Sequence, residues 1–120
     1  MKILLVEDHA ALADITCSLL REVYGHEVAH AESGAAALEA METIEPDLVL
    51  LDVNLPDFNG YEVARRLRRD PRWQSTILVA VTGFGSDVDF TLAQASGIDA
   101  HFRKPMDFDL LPTIQRMRPA

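Results

Sequence analysis

Apolar residues follow two distinct patterns along this chain. Short runs that are almost wholly apolar, such as 48–51 and 77–81, are separated by longer segments in which apolar residues recur every three or four positions. The short runs are typical of strands covered on both faces, and the longer spacing is typical of amphipathic helices. The pattern predicts strands over 3–6, 26–31, 48–51, 77–81 and 98–102.

A helix is predicted after each of these five strands. The first carries an apolar stripe, which in an amphipathic helix normally faces the core. The stripe consists of Leu12, Ile15, Leu19 and Val23. Ser33 and Ser86 are the expected N-caps of the second and fourth helices, and the core of the fifth is expected to begin near Leu110.

Five strands that alternate with five helices predict a single α/β domain over 1–120, with a parallel sheet and helices on both of its faces. Its length suits one domain, and its 48% apolar and 25% charged residues are ordinary for a globular protein. In such sheets, ligands bind beyond the carboxyl ends of the strands. Functional residues are therefore expected just after strands one, three, four and five.

The charge and cysteine content bear on partners and location. The chain has 19 acidic residues against 11 Lys and Arg, a net charge of −8, which disfavours contact with nucleic-acid phosphates and with anionic lipid. No apolar stretch approaches the roughly 20 residues of a membrane span. Cys17 is the one cysteine, so no internal disulfide can form. We therefore expect a cytoplasmic protein without direct nucleic-acid binding or membrane association.

Chemically capable residues stand at the four predicted strand ends. Glu7 and Asp8 follow the first strand, Asp52 the third, Thr82 the fourth and Lys104 the fifth. Three carboxylates brought together repel one another, and a divalent cation such as Mg²⁺ relieves that repulsion. A carboxylate nucleophile, Asp52, could then attack phosphorus, with the lysine and the threonine hydroxyl neutralising phosphoryl oxygens.

These residues sit in motifs that together resemble the response-regulator receiver family of two-component signalling over the whole chain. The motifs are Val6-Glu7-Asp8, Leu51-Asp52-Val53-Asn54-Leu55-Pro56, Gly60, Val81-Thr82-Gly83 and Phe102-Arg103-Lys104-Pro105. The resemblance implies a flavodoxin-like, doubly wound, five-stranded parallel sheet of order 2-1-3-4-5 with five helices.

The resemblance also assigns roles around Asp52, the implied phosphoacceptor. Asp8 and Asp52 would ligate Mg²⁺ directly, Asn54 would add its backbone carbonyl, and Glu7 would act through a bound water. Lys104 would pair with Asp52. The residues of the site are thus expected to bind one magnesium ion and one phosphoryl group.

A conformational switch is implied by the same resemblance. Thr82 would move towards the phosphoryl group while Phe102, two residues before the lysine, turns inward; otherwise Phe102 is simply a core residue of an edge strand. Phosphorylation would shift a population that already exists. The donor would be a sensor histidine kinase or a histidine phosphotransfer protein, and the output partner is not readable from the sequence.

Apart from phosphotransfer to itself and slow self-dephosphorylation, no enzyme activity is expected. The chain could stand alone or be a segment of a hybrid sensor kinase or a longer regulator. A module that keeps the fold without accepting phosphate is the second hypothesis, disfavoured because Asp8, Asp52, Thr82 and Lys104 are all present.

Other kinds of functional site fit the sequence less well. Gly83-Phe84-Gly85 lacks the third glycine of a dinucleotide loop, because Val88 stands there. An aspartyl phosphatase would need an acid at Asn54. Histidines at 9, 26, 30 and 101 suggest no transition-metal site, and the arginines between 65 and 72 are interpreted as a solvated helix face, with docking of an acidic partner as the alternative.

Overall fold

Five parallel strands form one sheet in the order β2-β1-β3-β4-β5. The computed structural model describes residues 1–57, 59–82, 95–103 and 116–117. The strands are β1 Lys2–Val6, β2 Glu27–Ala31, β3 Leu48–Asp52, β4 Ile77–Thr82 and β5 Ala100–Arg103. The sheet predicted from the alternating pattern, and the strand order implied by the family resemblance, are therefore confirmed.

The described residues contain three α-helices, whereas the sequence pattern predicts five in the whole chain. They are α1 Ala10–Ser18, α2 Gly34–Ile44 and α3 Gly60–Arg69. A π-helical segment, Leu19–Val23, continues α1, and a 3₁₀ turn, Pro71–Trp73, follows α3. Most of the predicted fourth and fifth helices falls outside the described residues. No described helix has the length and apolar character needed to cross a membrane.

Alternate residues of each central strand face opposite layers of the core. On one face, Leu4, Val6 and Leu51 pack with residues of α2 and α3, such as Met41 and Leu67. On the other face the sheet packs against α1, and these core residues are Ile3, Leu5, Leu48, Leu50, Val79, Val81, Ala13, Cys17 and Leu20. Burial on both faces explains why the central strands are continuously apolar.

The apolar stripe predicted for the first helix faces the core only in part, because Leu12 and Leu19 are half-buried while Ile15 and Val23 are not. Ile15 and Val23 are 57% and 65% exposed. The side that packs inward instead carries Ala13, Thr16, Cys17 and Leu20. These four positions also have helical spacing, and their burial shows that they form the side that faces the core. The Thr16 hydroxyl donates to the Leu12 carbonyl at 2.8 Å, so its burial leaves no unmet donor.

The start of α2 follows the sequence prediction. The Ser33 side chain accepts a hydrogen bond from the backbone N–H of Ala36 at 3.1 Å, as an N-cap does. The helix ends at Ile44, its C-cap Glu45 has a left-handed backbone with φ of 48°, and Pro46 follows. Asn59 caps α3 in the same way through the Glu62 N–H. Both helices that flank Asp52 in sequence therefore begin at fixed points.

Arg68 joins three segments at the amino edge of the sheet. Its guanidinium donates to backbone carbonyls at distances of 2.7 to 3.1 Å, namely those of Trp73, Gln74, Thr76 and Gly97. It also pairs with Asp99 at 2.8 Å, and Asp99 in turn accepts from the Leu78 N–H. Helix α3, the start of β4 and the approach to β5 are thus held by one side chain.

We expect Arg68→Ala to lower the free energy of unfolding by about 2 to 4 kcal/mol, because several carbonyls lose a charged donor at once. Urea denaturation followed by circular dichroism measures it. Arg69→Ala is the matched control, because Arg69 is exposed on the same helix, and its change should stay within about 0.5 kcal/mol. Equal effects of the two substitutions would contradict the role assigned to Arg68.

Candidate functional site

Three carboxylates meet at the carboxyl edge of the sheet. Glu7 and Asp8 follow β1, and Asp52 is the last residue of the neighbouring strand β3. Each offers an oxygen within 4.8 Å of the others. Glu7 and Asp52 are only 3% and 5% exposed, while Asp8 is exposed. The sequence placed these residues at one edge, and the structure brings all three together.

Backbone contacts fix the direction of the Asp52 carboxylate. Its Oδ1 accepts a hydrogen bond from the Asn54 N–H at 2.9 Å. The intervening residue, Val53, donates its own N–H to the Val81 carbonyl of β4 at 3.1 Å. The chain therefore turns out of β3 along a defined path, and Asn54 lies immediately beside the acidic group.

Glu7 is held equally firmly although β1 has already ended. Its N–H donates to the Ala31 carbonyl at 3.0 Å, and its own carbonyl accepts from Nε2 of His30 at 2.6 Å. The His9 N–H lies 3.4 Å from Oε2 of the Glu7 carboxylate. Strand β2 thus anchors the backbone of Glu7, and the turn into α1 supplies a donor to its side chain.

The described histidines make structural contacts. His9 is the N-cap of α1 and accepts from the Leu12 N–H, and Nδ1 of His26 lies 3.2 Å from the amino group of Met1. Among the described residues, Glu7, Asp8 and Asp52 form the one group of three or more His, Cys, Asp or Glu side chains close enough to hold a metal ion. That group contains oxygen donors alone.

Gly60 allows the loop after β3 to pass close to Asp52. A Cβ at this position would lie 2.5 Å from the Asp52 carbonyl oxygen and 3.0 Å from the Val53 Cα, both backbone atoms. The Gly60 N–H donates to the Val53 carbonyl at 2.9 Å. Glycine is therefore required by contact with the backbone next to the acidic group, although Gly60 itself is the first residue of α3.

The other predicted site residues are only partly described. The backbone of Thr82 ends β4, next to β3, with Asp52 paired to Val81. The Thr82 side chain, Lys104 and Pro105 lie outside the described residues. Phe102 is on β5, half-buried against the core layer of α1, beside Val81.

One residue at the site was not found from the sequence. The Asp57 carboxylate, in the loop after β3, accepts from the backbone N–H groups of Gly34 and Ala35 at 2.9 and 2.8 Å. These are the first two residues of α2. The partners lie 23 and 22 residues away, so no local spacing could indicate the contact.

Most of the arginines between 65 and 72 bind groups of this same chain. Arg65 and Arg66 pair with Glu62 and hold its pKa below the ordinary value. Arg72 pairs with Glu42 and Asp70 and lowers the pKa of both carboxyl groups. Its guanidinium also stacks on the Trp73 ring, 4.9 Å from the ring centre. These contacts favour the interpretation as a helix surface over docking of an acidic partner.

We expect Gly60→Ala to cost about 1 to 3 kcal/mol of stability, because the added carbon meets backbone that cannot swing aside. It should also shift the backbone amide resonances of residues 52–54 in a ¹⁵N–¹H NMR spectrum. Gly25→Ala serves as the control, since Gly25 has a φ of +73° but open space around it, and it should cost about 1 to 2 kcal/mol without moving those resonances. Unchanged resonances in Gly60→Ala would show that the site tolerates the methyl group.

Residues 3–116 match the family model described as the response regulator receiver domain. Two relatives show the range of proteins that contain such a domain. The DNA-binding response regulator MtrA of Mycobacterium tuberculosis is 40% identical over 104 residues, which are 87% of this chain and 44% of MtrA. The CAI-1 autoinducer sensor kinase/phosphatase CqsS of Vibrio cholerae is 34% identical over 111 residues, 92% of this chain and 16% of CqsS.

Solved structures of response regulators share the fold of this chain. The signal receiver domain of the DNA binding response regulator protein (merR) from Colwellia psychrerythraea 34H superposes with a TM-score of 0.88 at 27% identity, covering 97% of this chain and 96% of that one. The Mn(2+)-bound form of response regulator Rcp1 gives a TM-score of 0.77 at 27% identity, covering 95% and 88%.

The expectation of no direct nucleic-acid binding is not supported by these relatives. MtrA and the Colwellia protein are both named as DNA-binding, and this chain spans less than half of MtrA. The net charge of −8 describes this chain alone. A charge argument made on one domain therefore does not extend to a longer protein that contains it.

Proposed function

The chain belongs to the response regulator receiver domain family of two-component signalling, and on that premise we propose that Asp52 accepts a phosphoryl group from a phosphohistidine donor. The observation that carries the proposal is the meeting of Glu7, Asp8 and Asp52 at the carboxyl edge of the sheet. Residues 1–120 would form the phosphoacceptor domain, whether it acts alone or within a longer regulator or hybrid kinase.

The donor set suits a hard divalent cation. All three side chains offer oxygen, two of them are buried, and the backbone carbonyl of Asn54 follows directly. Oxygen donors of this kind favour Mg²⁺ over metals that prefer nitrogen or sulfur. Asp8, Asp52 and the Asn54 carbonyl would hold the ion, with Glu7 acting through a water. The bound ion supplies charge neutralisation at the transferring phosphoryl group.

Asp52 is the proposed nucleophile because it is both fixed and sheltered. The Asn54 N–H on Oδ1 sets the rotation of the carboxylate, and the flanking strands hold its backbone. In the transfer, a carboxylate oxygen forms a bond to phosphorus as the bond between phosphorus and the donor imidazole nitrogen breaks. The imidazole leaves with that electron pair and takes a proton. Later attack of water on phosphorus releases phosphate and restores the carboxylate.

Two residues from the other strand ends would complete the site. The ammonium of Lys104 would neutralise a phosphoryl oxygen, and the hydroxyl of Thr82 would donate to another. As Thr82 moves towards the phosphoryl group, Phe102 would turn inward from its half-buried place on β5. The surface around β5 would then change and select a partner or an attached domain.

The test is intact-mass spectrometry after incubation with acetyl phosphate, with and without Mg²⁺, beside Asp52→Asn. We expect a gain of one phosphoryl group that requires Mg²⁺ and is absent in the variant. Asp14→Asn is the matched control, because Asp14 is an exposed carboxylate on α1 that is not part of the acidic group, and it should behave as the parent chain.

If the folded parent chain takes no phosphoryl group, a histidine-phosphorylated phosphotransfer protein is the next donor to use. Transfer from that donor would show a domain restricted to protein donors. Failure with both would overturn the proposal and support a module that works without phosphorylation.

A further inference from the structure

The loop that follows Asp52 is tied to a second helix through Asp57. Both carboxylate oxygens of Asp57 are used, one on the N–H of Gly34 at 2.9 Å and the other on the N–H of Ala35 at 2.8 Å. Hydrogen bonds to a carboxylate are about twice as strong as neutral ones, and the amino end of a helix favours negative charge. Although Asp57 is exposed, the contact is therefore a charge-assisted, two-bond link between segments that are distant in sequence.

The rest of the loop is fixed near its two ends. At the start, Val53 is bonded to β4 and the Asn54 N–H to the Asp52 side chain. At the end, Asn59 caps α3 and Gly60 is bonded back to Val53. Between them, Asp57 ties the loop to an element outside the β3–α3 connection.

The Asp57 link connects two segments that position residues of the acidic group. The loop it holds carries Asn54, whose carbonyl is the proposed metal ligand. The helix it holds follows β2, whose residues His30 and Ala31 bind the backbone of Glu7. One carboxylate thus connects the backbone beside Asp52 to the segment that anchors Glu7.

We propose that Asp57 is a positioning residue that holds the β3–α3 loop in the shape that binds the metal ion. The inference rests on the proposed function, because it takes the Asn54 carbonyl to be a ligand. A ligand that is ordered before the ion arrives loses less conformational entropy on binding. Without the Asp57 link, the loop samples more conformations and the ion must order it.

Isothermal titration of the full chain with Mg²⁺, without a phosphoryl donor, is the first measurement. Asp57→Ala should weaken Mg²⁺ binding by about 10-fold, at the low end of the loss expected when an outer group that orients a ligand is removed. Asp57→Asn keeps one acceptor oxygen and should fall between this variant and the parent chain. If Asp57→Ala does not fold, Asp57→Asn still tests the inference.

Ser33→Ala is the matched control. Ser33 caps the same helix end, but its side chain bonds to the Ala36 N–H within the helix rather than to the loop. Both substitutions weaken the start of α2, so amide exchange at residues 34–36 should rise in each. Only Asp57→Ala should also weaken Mg²⁺ binding. An equal loss of binding in Ser33→Ala would overturn the inference, because the effect would then arise from the helix.

Phosphorylation kinetics supply a readout that a purely structural role would not give. With acetyl phosphate, Asp57→Ala should raise the half-saturating Mg²⁺ concentration by the same factor and leave the rate at saturating Mg²⁺ within about twofold. A lowered saturating rate with unchanged Mg²⁺ binding would contradict positioning of the metal ligand.

The two proposals fail separately. If the parent chain takes no phosphoryl group but binds Mg²⁺ more tightly than Asp57→Ala does, the phosphoacceptor proposal fails and the positioning role stands. If the parent chain is phosphorylated and Asp57→Ala binds Mg²⁺ as it does, only the positioning role fails.

Discussion

The repulsion between carboxylates buried side by side is the constraint around which this structure is arranged. Glu7 and Asp52 leave adjacent strands that are paired in register up to Val6 and Leu51, so the sheet itself forces them together. Burial removes much of the water that would screen them. Apolar core side chains cannot relieve this cost, whereas the backbone N–H groups of His9 and Asn54 each donate to one of these carboxylates and so offset part of it.

The two edges of the sheet differ in the charges that they carry. At the amino edge, Arg68 donates to backbone carbonyl groups and pairs with Asp99, and this pairing of opposite charges stabilises the folded chain. At the carboxyl edge, like charges are concentrated. The loop after Asp52 is held there by the close backbone approach at Gly60 and by the hydrogen bonds that Asp57 accepts from the start of α2. These contacts, with the hydrogen bonds of Glu7 to β2, fix the backbone that carries the carboxylates.

The sequence allowed the sheet and the acidic group to be predicted because both depend on strong local signals. The continuous apolar run before Asp52 marks a central strand, and parallel strands end at the same edge. The inward face of α1 could not be predicted in the same way. Apolar side chains stand on both sides of this helix, so their spacing alone does not fix which side packs inward, and Ala13 is buried while the more hydrophobic Ile15 is exposed. The Asp57 link was missed because its partners are neighbours only after folding.

Electrostatic cost and function are connected through linkage. Any ligand that binds the folded chain and not the unfolded one stabilises the fold, by an amount that grows with its concentration relative to its dissociation constant. A cation at the acidic group would act in this way and would also cancel the repulsion between Glu7, Asp8 and Asp52. A phosphoryl group on Asp52 would add negative charge at the same edge, so its arrival requires cations close by. Under the proposed function, the concentration of negative charge at this edge would therefore make it responsive to both a metal ion and a phosphoryl group.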